Sequence, residues 1–172
     1  SWLALGRYDD GVYFGAAVAL THGQLPYRDV LLLHPPGITV LLAPFAFLAE
    51  PLGDATAFTI AKHEFMLLGA ATAAGIAVLV RRHGNAAMLL AGGTYAVFLP
   101  AAYAESSISL EAVGKALLVA ALLLLQRNPL RWALLSGALL GLAAGVKIWG
   151  IVPLLVIAGF MAWRHGKRAC MT

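Results

Sequence analysis

Charge is what this sequence has least of. Only 12% of its 172 residues are Asp, Glu, Lys or Arg, about half the roughly 25% of an ordinary soluble domain. Hydrophobic residues make up 61% of the chain, and the mean hydropathy is +0.84. A soluble fold could not hide that much apolar surface and still cover itself with polar side chains. Cysteine is almost missing as well: Cys170 stands alone, which excludes an internal disulfide framework and fits no zinc motif. No His/Asp/Glu group has metal-ligand spacing, so neither a metal nor another cofactor is expected. The net charge is +4, but no Lys/Arg run is interleaved with aromatics, so nucleic acid is not an expected partner. Soluble domains, linkers, low-complexity tracts and internal repeats are all lacking.

What is present reads as an all-α, polytopic helical membrane protein. Residues 1–36 are rich in aromatic, Gly, Pro and Asp residues and hold no stretch long enough to span a bilayer. The apolar run Gly37–Ala49 is bounded by Pro35-Pro36 and Pro51. As a helix it rises only about 20 Å against a hydrocarbon core of roughly 30 Å, so it is expected to be interfacial or re-entrant. Five longer segments follow: Ala57–Val80, Ala86–Tyr103, Glu111–Gln126, Trp132–Val146 and Ile148–Trp163. The expected architecture is therefore about five transmembrane helices over residues 57–172, preceded by an extracytoplasmic loop with interfacial helices over residues 1–56. Gly137, Gly141 and Gly145 recur every fourth residue, a small-residue ridge expected to allow close helix packing.

The few charges fix an orientation. Arg81, Arg82, Arg127, Arg131, Arg164, Lys167 and Arg168 lie in three loops separated by even numbers of expected spans, and no acid lies among them. The opposite side carries Arg7, Arg28 and Lys147 beside six acids: Asp9, Asp10, Asp29, Glu50, Asp54 and Glu105. Basic loops stay in the cytosol, so residues 1–56 are expected outside a plasma or inner membrane, with the C-terminal end of the sequence cytosolic. Because residues 1–56 must then have crossed the membrane, at least one upstream transmembrane helix is expected.

The chemistry-bearing residues gather on that outer side. Tyr8-Asp9-Asp10-Gly11-Val12-Tyr13 is followed by Leu25-Pro26-Tyr27-Arg28-Asp29 and then His34-Pro35-Pro36-Gly37. An Asp pair opening a helix suits capping, by accepting hydrogen bonds from its first amides. It equally suits a general base, which needs a carboxylate near a partly dehydrated hydroxyl. Arg28 has a partner at hand in Asp29, Lys147 has the position of a snorkelling helix-end lysine, His34 suits a turn cap, and His63 a packed helix position.

In this order the three motifs resemble the first extracytoplasmic loop of the GT-C glycosyltransferases. The nearest likeness is to the group of protein O-mannosyltransferases, aminoarabinose transferases and bacterial membrane sugar transferases. Gly141-Leu142-Ala143-Ala144-Gly145-Val146-Lys147 is similar to that family's Gly-Leu-Ala helix, which ends in a Lys beside an outer turn. Asp10 stands where Glu is commoner, and His34 where the aminoarabinose transferases have Lys. The resemblance implies that Asp9 is catalytic, that Asp10 fills the adjacent acidic position, and that His34 lies near a lipid-phosphate site.

The implied reaction takes a sugar from a polyprenyl-phosphate donor and passes it, with inversion, to a hydroxyl on a glycan, lipid or protein acceptor in the cell envelope. A departing lipid phosphate needs cations or hydrogen-bond donors. Arg28, His34 and Lys147 are the candidates, with Lys62 behind them, and Glu105 and Glu111 flank the second outer loop as candidates for the acceptor. A transporter or lipid flippase is the competing class, and a non-catalytic scaffold a third. Transporters place ionisable groups near the bilayer midplane, whereas here the helix centres are almost bare.

Overall fold

The computed structural model describes residues 8–127 and 130–169. Arg7 and Cys170 lie outside the described residues. The architecture is all-α: the described residues form helices and short connections, with one isolated bridge between Pro26 and Val30. In chain order the helices are α1 (Tyr8–Thr21), α2 (Gly37–Ala46), α3 (Ala49–Leu52), α4 (Asp54–Leu79), α5 (Asn85–Val97), α6 (Leu99–Glu105), α7 (Leu110–Leu125), α8 (Leu130–Val146) and α9 (Ile151–Ala169).

The long helix α4 is the axis of the bundle. α5 and α7 pack along it, α8 packs on α7, and α9 returns along α8, while α1 lies on α2 at one end. That end holds the core: Tyr13, Phe14 and Ala17 of α1 meet Ile38 and Leu42 of α2, Ala57, Ala61 and Phe65 of α4, and Ile108, Leu110 and Val113 near the start of α7. The rings of Phe14 and Phe58 meet edge to face at 5.4 Å. This is a favourable arrangement for two aromatic quadrupoles.

Glycine sets two of the closest approaches. A Cβ on Gly37 would lie 2.5 Å from the Gly145 carbonyl oxygen and 2.8 Å from its carbon, so the start of α2 rests directly on the backbone near the end of α8. A Cβ on Gly150 would lie 2.5 Å from the Ala143 carbonyl carbon, which lets the 3-10 turn Ile148–Gly150 fold tightly back on α8.

The ridge of Gly137, Gly141 and Gly145 is not the helix seam expected from its spacing: none of the three would bring a Cβ within 4 Å of a neighbour. The buried face of α8 is Ser136, Leu140, Ala143 and Val146, and Gly145 contributes through its carbonyl rather than through its missing side chain.

The segment expected as one span over Ala86–Tyr103 is two helices meeting at 64°. Pro100 lies in the first turn of α6 and Phe98 is extended at the junction. A proline lacks the amide needed to continue α5 and disfavours helical geometry before it. By length and apolarity, α4 is long enough to cross a bilayer, and the bent α5–α6 pair is a second such segment if it is counted as one. α7 and α8, at 16 and 17 residues, fall short of the ~20 residues of a full span. Large apolar side chains nonetheless stand uncovered along the bundle, among them Leu89, Leu90, Val97, Leu99, Leu155 and Val156.

Candidate active site

Asp9 and Asp10 open α1, and consecutive residues on a helix point about 100° apart. The inner face of α1 is Asp10, Tyr13, Phe14 and Ala17, a helical stripe buried against α2 and α4. Asp10 is therefore only 1% exposed, and its carboxylate meets the ammonium of Lys62, itself 3% exposed, at 3.6 Å. Lys62 also lies 5.6 Å from the centre of the Phe58 ring. Asp9, one residue away, is exposed.

Beside Asp9 is a cleft of about 100 Å³, into which α1, the Pro-Pro loop, the connection into α7 and the end of α8 converge. Asp9, Asp10 and Tyr13 line it from α1, His34 from the loop, Glu111 from α7, and Lys147 from the turn after α8. The Gly37–Gly145 contact brings the Pro-Pro loop and the end of α8 together, because His34 lies just before α2 and Lys147 just after α8. The Lys147 ammonium donates to Glu111. The His34 and Tyr13 rings are 6.0 Å apart. Ser109 caps α7 by accepting from the Ala112 amide at 3.2 Å, and it donates to the Ala104 carbonyl at 2.8 Å. Ser107 donates to the same carbonyl at 3.0 Å, so the wall Ser107–Glu111 is held at both ends.

The Tyr13 phenol is pushed up to about 12, first by burial and then by the negative charges of Asp9, Glu111 and Asp10. It remains an O–H donor over the whole neutral range. The loop before His34 is fastened in turn: Tyr27 takes a positive φ of 68°, unusual for a bulky side chain. Its amide donates to Val30 at 2.9 Å and its hydroxyl to the His34 carbonyl at 2.6 Å.

The other two residues singled out in the sequence lie elsewhere. Arg28 is highly exposed and pairs with Asp29 at 2.8 Å. Asp29 also accepts from the Leu25 amide, and Arg28 chiefly, with that amide, holds its carboxyl below the usual carboxylate range. Arg28 thus takes the pairing that its neighbour offered and does not line the cleft. Glu105 is buried on the far side of the same connection. It accepts from the Tyr95 hydroxyl, pairs with Lys115 at 3.0 Å and lies against Gly69, facing a separate apolar cavity lined by Met66, Ala70 and Ala73.

Ser107 and Ser109 are cleft residues that the motifs left out, and Tyr13 stood within the first motif without a role. Ser109 had a signal, a Ser directly before an apolar helical run. Tyr13 would have emerged from the helical phase of α1. Among the described residues no group of His, Cys, Asp and Glu is arranged to hold a metal ion.

The cleft thus offers an exposed carboxylate, an imidazole, a phenol donor and a lysine beside an apolar helical bundle. No curated protein and no solved structure matches the chain. Glycosyltransferase family 87 matches residues 32–172, which include His34, Glu111 and Lys147 and most of the bundle. The chain belongs to glycosyltransferase family 87 and is a glycosyltransferase.

Proposed function

We propose that the protein is a multi-pass membrane enzyme of the GT-C type. It moves a sugar from a polyprenyl phosphate to a hydroxyl acceptor on the extracytoplasmic face, with Asp9 as general base. One observation carries this reading: Asp9, His34 and Lys147, far apart in sequence, line a single cleft at one end of a strongly apolar bundle. The uncovered leucines and valines along α5 and α9 support a lipid environment, and with it a donor delivered from the bilayer.

In the proposed reaction Asp9 accepts the proton of the acceptor hydroxyl as that oxygen attacks the anomeric carbon. The bond from that carbon to the phosphate oxygen breaks on the opposite face, and the phosphate departs with the electron pair. Attack opposite the leaving group inverts the anomeric configuration. Lys147 and His34 face the charge that grows on the phosphate, where aligned donors contribute most. Tyr13 supplies a further O–H.

The test supplies full-length protein, in membrane vesicles, with either a polyprenyl-phosphate sugar or a nucleotide sugar. Transfer from the lipid donor alone, with an inverted product linkage by NMR, is expected. Transfer from the nucleotide sugar alone, or a retained configuration, would contradict the proposal.

A further inference from the structure

From the buried Asp10–Lys62 pair we infer that Lys62 is a positioning residue for transfer: by fixing the first turn of α1 through Asp10, it turns Asp9 into the cleft. The inference rests on Asp9 being the base.

The geometry is that of a helix with two candidate acids side by side. Positions 9 and 10 point about 100° apart, so although both acids line the cleft, Asp9 is exposed in it while Asp10 turns back into the core against Lys62. The apolar contacts of α1 fasten its body: Phe14 meets Phe58, and Ala17 is wholly buried in the same cluster. These contacts lie one or more turns along from the acids. The charged contact is the one at the level of the acids, where Asp10 meets Lys62 at 3.6 Å with both residues almost fully buried.

An ion pair is a poor way merely to attach a helix, because apolar residues of similar volume often do so as well or better. Its advantage is directional. The pair forms in the same helical phase as the Phe14 and Ala17 contacts, so it keeps the first turn, and Asp9 with it, in register with the body of α1. Lys62 itself does not line the cleft. Its effect on transfer therefore passes through Asp10 to Asp9.

This predicts non-additivity. Lys62→Met should lower kcat/KM by about ten- to hundredfold, the scale of a small misplacement of a reacting group. Lys62→Arg, which keeps the charge, should recover most of that loss. In an Asp9→Asn background the base is gone, and Lys62→Met should change the residual rate by less than about threefold, because both changes remove the same function.

The experiment measures kcat/KM for the four members of this cycle in full-length protein, using a polyprenyl-phosphate sugar donor and normalising to folded enzyme by detergent gel filtration. Losses that multiply would overturn the inference and leave Lys62 a stability residue. If Lys62→Met fails to fold, Asp10→Asn/Lys62→Met removes both buried charges and takes its place in the cycle, with the same two outcomes. Full transfer by Asp9→Asn alone would overturn the base assignment, and this inference with it. Multiplying losses beside an Asp9→Asn that keeps only a small residual rate overturn only the inference.

Discussion

Asp9 and Asp10 are chemically identical neighbours made different by helical phase: one is exposed at a cleft, the other is buried against Lys62. Removing one partner of such a buried pair strands the other charge in an apolar core, which typically costs about 3–5 kcal/mol. Asp10→Asn should therefore lower the thermal unfolding midpoint well below that of Asp9→Asn. Equal midpoints would mean the pair contributes little. The two lysine-or-arginine candidates for the phosphate also separate. Lys147 lines the cleft, whereas Arg28 is exposed and spent on Asp29. A charge-assisted hydrogen bond is worth roughly 1.5–3 kcal/mol, so Lys147→Gln should slow transfer by about one to two orders of magnitude. Arg28→Gln should change it by less than about threefold. Comparable losses in both variants would return Arg28 to the site. Tyr13 gives a pH prediction. Its proton is held more tightly in the folded state than at the ordinary value of 10.0. Its contribution to stability is thus complete below pH 10, and is lost as pH rises from there through about 12. In unfolding measurements Tyr13→Phe should remove this alkaline loss. At this scale the Asp pair and His34 were legible as motifs. The Asp10–Lys62 and Glu111–Lys147 pairings were not, because each joins residues that only the packing of separate helices brings together.

At the scale of elements, the contact between α2 and α8 sets the cleft. Gly37 lies against the Gly145 carbonyl with no room for a methyl group, and backbone cannot give way as a side-chain tip can. Gly37→Ala should cost about 1–3 kcal/mol, as overpacking does, and should reduce transfer by separating His34 from Lys147. Gly141→Ala, where a Cβ meets nothing within 4 Å, is the control and should leave both nearly unchanged. Thermal unfolding and transfer assays on the two variants decide the matter, and equal effects would contradict the account. The His-Pro-Pro-Gly motif and the Gly-rich end of α8 were visible in the sequence, but their mutual contact was not. Four-residue glycine spacing indicated a seam along α8, yet the spacing is equally satisfied by a face on which added side chains would meet nothing among the described residues. Segment existence was legible from apolar runs, since α4, α7 and α8 lie within a few residues of the expected bounds. The 64° break at Phe98 was announced only by Pro100, a residue that an apolar run read for length alone passes over.

For the whole molecule, the proposed reading puts the cleft on the extracytoplasmic face, on the strength of the charge asymmetry. That placement is testable with single cysteines in full-length protein from which Cys170 has been removed. Ser106→Cys, beside the cleft wall, should react with an impermeant maleimide in intact cells. His83→Cys, in the Arg81–His83 turn, should react only after permeabilisation; the reverse pattern would put the cleft in the cytosol. Fold class was legible from composition, because an excess of apolar residues with few charges leaves helices as the economical way to satisfy the backbone in lipid. The number of crossings was not, since α7 and α8 are shorter than a bilayer is thick and their tilt and surroundings decide the matter. The central claim is narrower than any of this: a single carboxylate at the mouth of the cleft takes the proton of the acceptor. Its direct test is the rate of sugar transfer from a polyprenyl-phosphate donor by full-length Asp9→Asn, with folding checked by gel filtration. Loss of a general base predicts a fall of about 10²–10⁴ in rate with an unchanged elution profile, and near-normal transfer by the folded variant would contradict the account.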